Sequence, residues 1–223
     1  MKKQDDSRLK LKRQMLDAHE MRRIIRRMAG EILEQNHDLD QVLLVGIRTR
    51  GIPLAERLAA EIETMEGVKL DIGALDITFY RDDLSMIGPQ PVVKGTDLPG
   101  SVTDRIVVLC DDVLYTGRTV RAALDELADY GRPKAVRLAV LVDRGCRELP
   151  IQADVVGKAI PTARSEQVEV GFVEVDGGDF VRLFKRVGAE NDTVENDTAE
   201  NDTAENNTAE KNTAEKNPGK ETP

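Results

Sequence analysis

The 223-residue sequence is poor in cysteine and histidine, with two of each, and it contains no long apolar run. Cys110 and Cys146 have neither metal-ligand nor redox spacing, so a structural zinc site is not expected. No stretch approaches the ~20 apolar residues that a membrane span requires, and the N-terminus lacks the apolar region of a signal peptide. We therefore expect a cytoplasmic protein with one domain of ordinary size and no membrane segment.

The formal net charge of −9 is distributed unevenly along the chain. Residues 189–223 carry ten acidic residues and three lysines, whereas the first 27 residues carry ten Lys or Arg and four Asp or Glu. The acidic stretch repeats a polar pentapeptide that begins AENDT, and it cannot bury enough apolar surface to offset chain entropy. We predict a polar basic arm over residues 1–16, a folded domain over 17–188 and a disordered acidic tail over 189–223.

The most informative pattern runs from Arg105 to Val120, where an apolar strand stops at Asp111 and Asp112 and helical spacing begins near Thr119. An unbroken run of Ile, Val and Leu is typical of a strand that is covered on both faces of a parallel sheet. The loop after such a strand lies where open α/β sheets bind ligands, beside a helix N-terminus that attracts anions. The pattern predicts an α/β fold with a mostly parallel central sheet and helices on both faces.

The residues of this loop suit a phosphorylated ribose. From Thr116 to Thr119 the loop offers a glycine that permits close backbone approach, two hydroxyl donors and an arginine beside a helix dipole. The two aspartates can accept hydrogen bonds from a ribose diol, or hold Mg²⁺ directly or through water. The alternative, an ordinary turn before a capped helix, is disfavoured because the strand, the acid pair and the loop occur in the required order.

A second apolar strand, Gln41 to Ile47, is followed by Thr49 and Arg50 and then by a helix whose first turn accommodates Pro53. This places a basic loop at a helix N-terminus on the same side of the sheet. Further strands are predicted at Val68 to Tyr80, with a possible bulge at Gly73, and at Ala135 to Asp143, Asp154 to Gly157, Val168 to Val175 and Phe180 to Lys185. The Pro- and Gly-rich connection before Asp104 has the length of a lid or of a disordered segment.

The first firm element is an amphipathic helix that begins at Asp17, with a capping box formed by Glu20, and ends near Asn36. Four arginines crowd its outer side: Arg22, Arg23, Arg26 and Arg27. A solvated helix face is the simpler interpretation, and a nucleic-acid or subunit contact is the alternative.

The stretch from Val108 to Thr119 resembles the ribose-phosphate motif of type I phosphoribosyltransferases. Four segments together resemble the PyrR family within that superfamily: Val45 to Gly51, Asp76 to Ser85, Asp111 to Thr119 and Leu141 to Ile151. The similarity covers about Leu16 to Val187. It implies the type I phosphoribosyltransferase fold, with a small hood and a flexible β-hairpin lid. It also implies a uracil phosphoribosyltransferase that makes UMP and pyrophosphate from uracil and phosphoribosyl pyrophosphate, and a regulator that binds pyrimidine-operon leader mRNA when UMP is bound.

The resemblance also implies Mg²⁺ as cofactor, a homodimer or higher assembly, and roles for individual residues. The implied catalytic residues are Asp111, Asp112, Arg50 and Arg81, of which the two aspartates also serve Mg²⁺. The implied substrate-binding residues are Thr49, Arg50, Arg81, Asp111, Asp112, Val113, Leu114, Tyr115, Thr116, Gly117, Arg118, Thr119, Arg144 and Lys158. The implied RNA-binding residues are Arg22, Arg23, Arg26, Arg27 and Arg147.

The chain departs from the family pattern at Gly30 and Cys146, where histidine is common. Both positions belong to the face implicated in RNA binding. Two alternatives therefore stay open beside the bifunctional assignment: a nucleotide-sensing RNA-binding regulator with little catalysis, and a phosphoribosyltransferase for a purine base.

Overall fold

The structure is a computed structural model that describes residues 9–78 and 95–186, and strands alternate with helices along most of this length. The strands are β1 (Leu9–Leu16), β2 (Val42–Ile47), β3 (Asp71–Leu75), β4 (Ile106–Leu114), β5 (Ala135–Asp143), β6 (Val155–Ala159), β7 (Glu166–Gly171) and β8 (Phe180–Arg186). The helices are α1 (Ala18–Gln35), α2 (Gly51–Glu66), α3 (Arg118–Ala128) and α4 (Val173–Asp176), with one 3-10 turn at Leu39–Gln41.

Five strands form a parallel sheet in the order β3-β2-β4-β5-β6. The connection from β2 leads through α2 to β3 on one side, whereas β4 lies on the other side of β2, so the strand order reverses between β2 and β4. In open α/β sheets a crevice forms at such a reversal, beyond the carboxyl ends of the strands. The loops that follow β2 and β4 therefore meet at one edge of the sheet.

Helices cover both faces of this sheet, which explains why its central strands are apolar without alternation. On one face α1 and α2 pack over Leu44 and Val108, and on the other α3 packs over Val45 and Leu109. All six residues of β2 are buried. The predicted α/β fold with a parallel sheet and helices on two faces is confirmed.

The first helix begins where its capping box was predicted. The backbone N–H of Glu20 donates to Asp17 Oδ1 at 2.8 Å, and the backbone N–H of Asp17 donates to Glu20 Oε2 at 3.0 Å. This reciprocal pair satisfies two donors that a helix start otherwise leaves open.

A second, antiparallel sheet contains three strands in the order β1-β8-β7, and it supplies the small hood of the fold. β8 is its central strand, and the pairing of β1 with β8 starts at Leu9 opposite Arg186. Residues 9–16 are therefore a strand rather than the polar arm that the sequence predicted. Most side chains of β1 are exposed, and the alternation of leucine and lysine over residues 9–12 stops at Arg13, where the pairing with β8 shifts register. The strand therefore forms through backbone pairing, and its apolar pattern is too short to indicate a strand.

Two other elements differ from the sequence prediction. The sequence predicted a strand that begins at Val68 and has a bulge at Gly73. β3 instead begins at Asp71 and ends at Leu75, opposite the last residue of β2, and its pairing with β2 passes through Gly73 without a bulge. Val173–Asp176 form α4, whereas the sequence predicted one strand from Val168 to Val175.

The predicted hairpin lid, Arg81 and the acidic tail lie outside the described residues. All described residues belong to one compact unit that ends at Ala189. Within this part of the chain, no helix has the length and apolarity needed to cross a membrane.

Candidate active site

The acid pair lies at the carboxyl end of β4, inside the strand. The sequence predicted that the strand stops at the carboxylates, but pairing with β5 continues to Leu114 opposite Asp143. Asp111 is 6% exposed, and its Oδ1 accepts the backbone N–H of Asp112 at 3.0 Å. Strand pairing thus fixes the backbone of both acids at the edge where β2 and β4 diverge.

Burial and the interaction between the two carboxyl groups set the electrostatics of the pair. Burial, reinforced by the neighbouring charge of Asp112, raises the pKa of Asp111 well above its usual value. Burial also raises the pKa of Asp112, although the positive charge of Arg50 opposes that shift. A bound cation, or hydrogen bonds from sugar hydroxyl groups, would therefore offset the free-energy cost of keeping these buried carboxylates ionised.

The predicted phosphate loop joins β4 to α3 as expected. Gly117 precedes the first residue of α3 with φ of +92°, a conformation that side chains with a Cβ rarely adopt. The backbone N–H groups of Glu148 and Leu149 donate to Thr116 O at 3.0 and 3.1 Å. Arg118 Nε donates to Glu148 Oε2 at 2.8 Å. These hydrogen bonds hold the phosphate loop against the loop that follows β5.

The second predicted loop, which contains Thr49 and Arg50, lies directly against β4. A Cβ on Gly51 would be 2.1 Å from the carbonyl oxygen of Cys110, the residue before the acid pair. The peptide bond between Arg48 and Thr49 is cis. Thr49 is exposed and Arg50 is half-buried, and α2 begins at Gly51, so the loop ends at a helix N-terminus as predicted.

Arg50 has a partner that the sequence did not reveal. Its Nε and Nη2 donate to the two carboxylate oxygens of Asp176 at 3.0 and 2.7 Å. Asp176 belongs to α4 and lies 126 residues further along the chain, so no spacing or motif links the two. The pKa of Arg50 is raised, chiefly by its hydrogen bond with Asp176, and Asp112 contributes to the same shift.

The predicted substrate residues Tyr115 and Arg144 contact each other. The guanidinium of Arg144 lies 4.0 Å from the centre of the Tyr115 ring, and Arg144 as a whole is 6% exposed. Its Nε donates to Thr162 Oγ1 at 2.9 Å and its Nη2 to Glu166 O at 2.8 Å. Arg144 therefore joins the end of β5 to the start of β7, and substrate contact by either residue stays a prediction.

Arg147, predicted to bind RNA, organises the loop in which it lies. Its Nε donates to Ile151 O at 3.0 Å, its Nη1 to Tyr115 O at 2.9 Å and its Nη2 to Asp143 Oδ2 at 2.5 Å. The same guanidinium thus links the ends of β4 and β5. Contact with RNA by Arg147 stays a prediction.

The remaining predicted substrate residues lie in two different places. Val113 is half-buried against the α1–α2 side of the core, and Leu114 is buried with its carbonyl oxygen accepting Arg144 N–H at 3.1 Å. Lys158 on β6 instead lines a groove beside α1, with its Nζ 3.5 Å from Met15 O. The structure thus groups Lys158 with the basic side of α1 rather than with the acid pair.

That groove, which we call the α1 groove, has a volume of about 380 Å³. It is lined by Leu16, Glu20, Arg23, Ile24, Arg27 and Lys158. Of the five arginines predicted for RNA binding, the four that belong to α1 are exposed. Arg27 also donates to the carbonyl oxygen of Val156 at 3.0 Å and pairs with Glu31, so one of the four is anchored to β6.

Asp76 was also missed by sequence analysis, and it holds together the two ends of the segment that contains Arg81. Asp76 is 6% exposed; its Oδ1 accepts the N–H of Thr78 at 3.0 Å, and its Oδ2 accepts the N–H of Gly95 at 3.2 Å. Arg48 Nε donates to Gly95 O at 3.0 Å. The segment therefore starts and ends beside the loop that contains Thr49 and Arg50.

Comparison with known proteins identifies a family for this arrangement. The model of the family described as "Phosphoribosyl transferase domain" matches residues 12–173. Solved structures show the same fold at low sequence identity. One is a hypoxanthine phosphoribosyltransferase from Staphylococcus aureus, with a TM-score of 0.58, 20% identity, and coverage of 77% of this chain and 92% of that chain. Another, from Trypanosoma cruzi, has a TM-score of 0.61 and 18% identity, with coverage of 78% and 92%.

Curated relatives are much more similar in sequence. The protein named Bifunctional protein PyrR from Chloroflexus aurantiacus is 57% identical over 180 residues, which are 81% of this chain and 98% of that protein. The protein of the same name from Clostridioides difficile is 55% identical, over 77% of this chain and 97% of that protein. The one from Thermus thermophilus is 56% identical, over 81% of this chain and 100% of that protein. With a matching family model and more than half of the aligned residues identical, the chain belongs to the PyrR family of phosphoribosyltransferases.

Proposed function

We propose that the protein converts uracil and phosphoribosyl pyrophosphate to UMP and pyrophosphate, and that it binds pyrimidine-operon leader mRNA when UMP is bound. The observation that carries the enzymatic half is the meeting of two loops at the reversal of strand order. One loop brings Asp111 and Asp112 with the N-terminus of α3, and the other brings Arg50.

Each part of phosphoribosyl pyrophosphate has a counterpart among these residues. The loop from Thr116 to Thr119 binds the 5-phosphate, because a helix N-terminus offers N–H donors and a favourable dipole. Asp111 and Asp112 accept hydrogen bonds from the ribose hydroxyls. Thr49 and Arg50, together with Arg81, bind the pyrophosphate.

The reaction breaks the bond between ribose C1 and the pyrophosphate oxygen while a uracil ring nitrogen bonds to C1 and loses its proton to water. Positive charge develops on the sugar as the leaving group takes the electron pair, so the carboxylate of Asp112 stabilises the sugar and Arg50 stabilises the pyrophosphate. Binding the two substrates in one orientation removes most of the entropic cost of their encounter. Preorganised charges then supply the remaining stabilisation of the transition state.

The acid pair also fits Mg²⁺ chemically. Carboxylate oxygens are ligands that Mg²⁺ prefers, and it commonly binds one or two of them together with substrate phosphates. The burial that raises the pKa of both aspartates would be offset by a divalent cation. We propose that Asp111 and Asp112 hold Mg²⁺ directly or through water, where it would neutralise charge on the pyrophosphate. Among the described residues, no group of three or more His, Cys, Asp or Glu side chains forms a further metal cluster.

The direct test is pyrophosphate release by the purified protein with phosphoribosyl pyrophosphate, Mg²⁺ and either uracil or a purine base. We expect release with uracil, and we expect Asp112→Asn to lower kcat/KM by about 100-fold or more, the order of effect for removing a charge at the reacting centre. Release with a purine alone would identify a purine phosphoribosyltransferase. No release with any base would contradict the enzymatic half and favour the regulator with little catalysis.

The regulatory half is supported by the α1 groove, where Arg23, Arg27 and Lys158 converge from α1 and β6. Lys and Arg side chains bind nucleic-acid phosphates, and the affinity falls with salt as counterions are released. We expect leader RNA to bind more tightly with UMP, with a negative slope of log affinity against log salt. The double variant Arg23→Gln/Lys158→Gln should reduce that slope by about 2, one unit for each phosphate that is no longer neutralised. Binding that ignores both UMP and salt would contradict the regulatory half.

We further propose that the protein acts in the cytoplasm as a homodimer or larger assembly. Sedimentation velocity of the purified chain would measure the assembly directly. A monomer at micromolar concentration, with full enzymatic activity, would contradict this part of the proposal.

A further inference from the structure

The contact between Arg50 and Asp176 joins the proposed pyrophosphate loop to α4, an element that the phosphoribosyl chemistry itself does not use. The pairing is bidentate, with both carboxylate oxygens accepting from one edge of the guanidinium. Such fork-like pairs fix the direction of an arginine as well as its charge. The side chain of Arg50 is 37% exposed and that of Asp176 is 18% exposed, so Arg50 remains open to a ligand while Asp176 is more enclosed.

Asp176 is itself held in place before any ligand binds. Its Oδ2 also accepts the backbone N–H of Phe172 at 3.0 Å, and the Phe172 side chain is fully buried. Two acids close by, Glu174 and Asp179, each form a bidentate pair with Arg57 of α2. α4 is thereby fastened to α2, the helix that begins immediately after Arg50.

The pairing leaves part of Arg50 available. Asp176 occupies the Nε–Nη2 edge, and none of the described residues accepts a hydrogen bond from Nη1. Asp176 thus holds Arg50 along one edge of the guanidinium, while Nη1 remains available to an anion.

We propose that Asp176 is a positioning residue for the phosphoribosyl transfer, which holds the Arg50 guanidinium towards the pyrophosphate group of the substrate. This inference rests on the proposed function. An unpaired arginine on a loop samples many rotamers, and ordering it when the ligand binds costs free energy. Asp176 removes this cost in advance, so its contribution appears in the affinity for pyrophosphate and phosphoribosyl pyrophosphate, and not in the affinity for uracil.

The test compares Asp176→Asn with Glu174→Gln, which removes the same charge from the same short helix but from a carboxylate that pairs with Arg57. We expect Asp176→Asn to raise KM for phosphoribosyl pyrophosphate and to lower kcat/KM for that substrate about tenfold or more, because Arg50 holds the pyrophosphate in both the ground state and the transition state, whereas KM for uracil should change less than about twofold. Glu174→Gln should leave all three parameters within about twofold, and Asp176→Glu should restore most of the missing affinity.

Two further measurements separate positioning from a structural effect. In the Arg50→Ala background, Asp176→Asn should change KM by less than about twofold, because a residue that acts only through Arg50 has no effect without it. Isothermal titration with Mg²⁺-pyrophosphate should show a dissociation constant about tenfold higher for Asp176→Asn than for the wild type, whether or not the protein turns over any base.

The outcomes distinguish the inference from the proposed function. If the wild type releases no pyrophosphate with any base, the proposed function fails, and the titration still tests Asp176. Equal effects of Asp176→Asn and Glu174→Gln would mean that the acids only fasten α4, and would overturn the inference. Tighter binding of pyrophosphate by Asp176→Asn would mean that Asp176 competes with the ligand for Arg50, and would overturn it as well.

Discussion

At the scale of single residues, the site depends on a close contact between the backbones of α2 and β4 that only glycine permits. Gly51 follows the loop of Thr49 and Arg50, and a Cβ at this position would be 2.1 Å from Cys110 O. Cys110 immediately precedes the acid pair on β4. This close approach therefore sets the distance between the two loops that the proposed reaction needs.

We expect Gly51→Ala to lower the free energy of unfolding by about 2 kcal/mol, as overpacking against backbone atoms does. It should also lower kcat/KM by about tenfold or more, because the Arg50 loop would move relative to the acids. The matched control is Gly30→Ala in α1, where no atom lies within 4 Å of the new Cβ. That change should raise the free energy of unfolding by about 0.5–1 kcal/mol. Urea denaturation measures whether the free energy of unfolding falls in Gly51→Ala and rises in Gly30→Ala. A Gly51→Ala protein as stable as the wild type would contradict the packing argument.

The acid pair and both loops could be predicted from the sequence because each signal is local, within about ten residues of a strand end. Asp176 could not be predicted, since its partner Arg50 is 126 residues away and acids on surface turns are common. The burial of Arg144 also left no sequence signal, because its partners Tyr115, Thr162 and Glu166 come from three separate segments.

At the scale of elements, predictions succeeded where burial on both faces dictates the residues, as in β2, β4 and β5. They failed where backbone pairing or short-range capping decides the structure. β1 is an edge strand whose middle residues are all exposed, and its alternation of leucine and lysine spans only residues 9–12. α4 alternates apolar and acidic residues, which is the pattern of a half-buried strand. Its acids instead pair with arginines, and the carboxylates of Asp176 and Asp179 accept the backbone N–H groups of Phe172 and Val173.

The fastening of α4 to α2 predicts how stability depends on pH. Hydrogen bonds from Arg57 lower the pKa of both Glu174 and Asp179 below their usual values. Groups with a lower pKa in the folded state stabilise the fold above their unfolded pKa, and this contribution disappears as pH falls through the folded pKa. Acidification below about pH 4 should therefore weaken the attachment of α4.

We expect the free energy of unfolding to fall between pH 6 and pH 3, and Arg57→Gln to reduce that fall by about 1 kcal/mol, an amount suited to a partly exposed ion-pair network. Urea denaturation at several pH values measures the slope. Arg121→Gln is the control, because Arg121 and Asp125 form an exposed pair on α3 with side chains 52% and 47% exposed. Its slope should match that of the wild type, and an unchanged slope in Arg57→Gln would contradict the assignment.

At the scale of the whole molecule, we propose that the domain is complete without residues 189–223, because the polar pentapeptide repeat of that stretch cannot add apolar surface to the core. A chain truncated after Gly188 should keep its melting temperature within about 2 °C, which corresponds to less than 1 kcal/mol for a domain of this size. Its kcat/KM with uracil should also be unchanged. Thermal melting followed by circular dichroism checks the first expectation.

A longer truncation supplies the contrast. Removing residues 180–223 deletes β8, the central strand of the hood, and leaves β1 and β7 without a partner. We expect that protein not to fold cooperatively, since both remaining strands would expose unpaired backbone groups. Loss of structure in the shorter truncation as well would contradict the domain boundary at residue 188.

The pairing of Leu9 with Arg186 has a consequence for the connectivity of the chain. Register partners on neighbouring strands lie about 5 Å apart, so the domain begins and ends at almost the same point. A circular permutant that joins these two positions by a short linker, with new termini opened between α3 and β5, would keep every strand neighbour of both sheets. The order in which the elements are synthesised is thus separable from the architecture that they build.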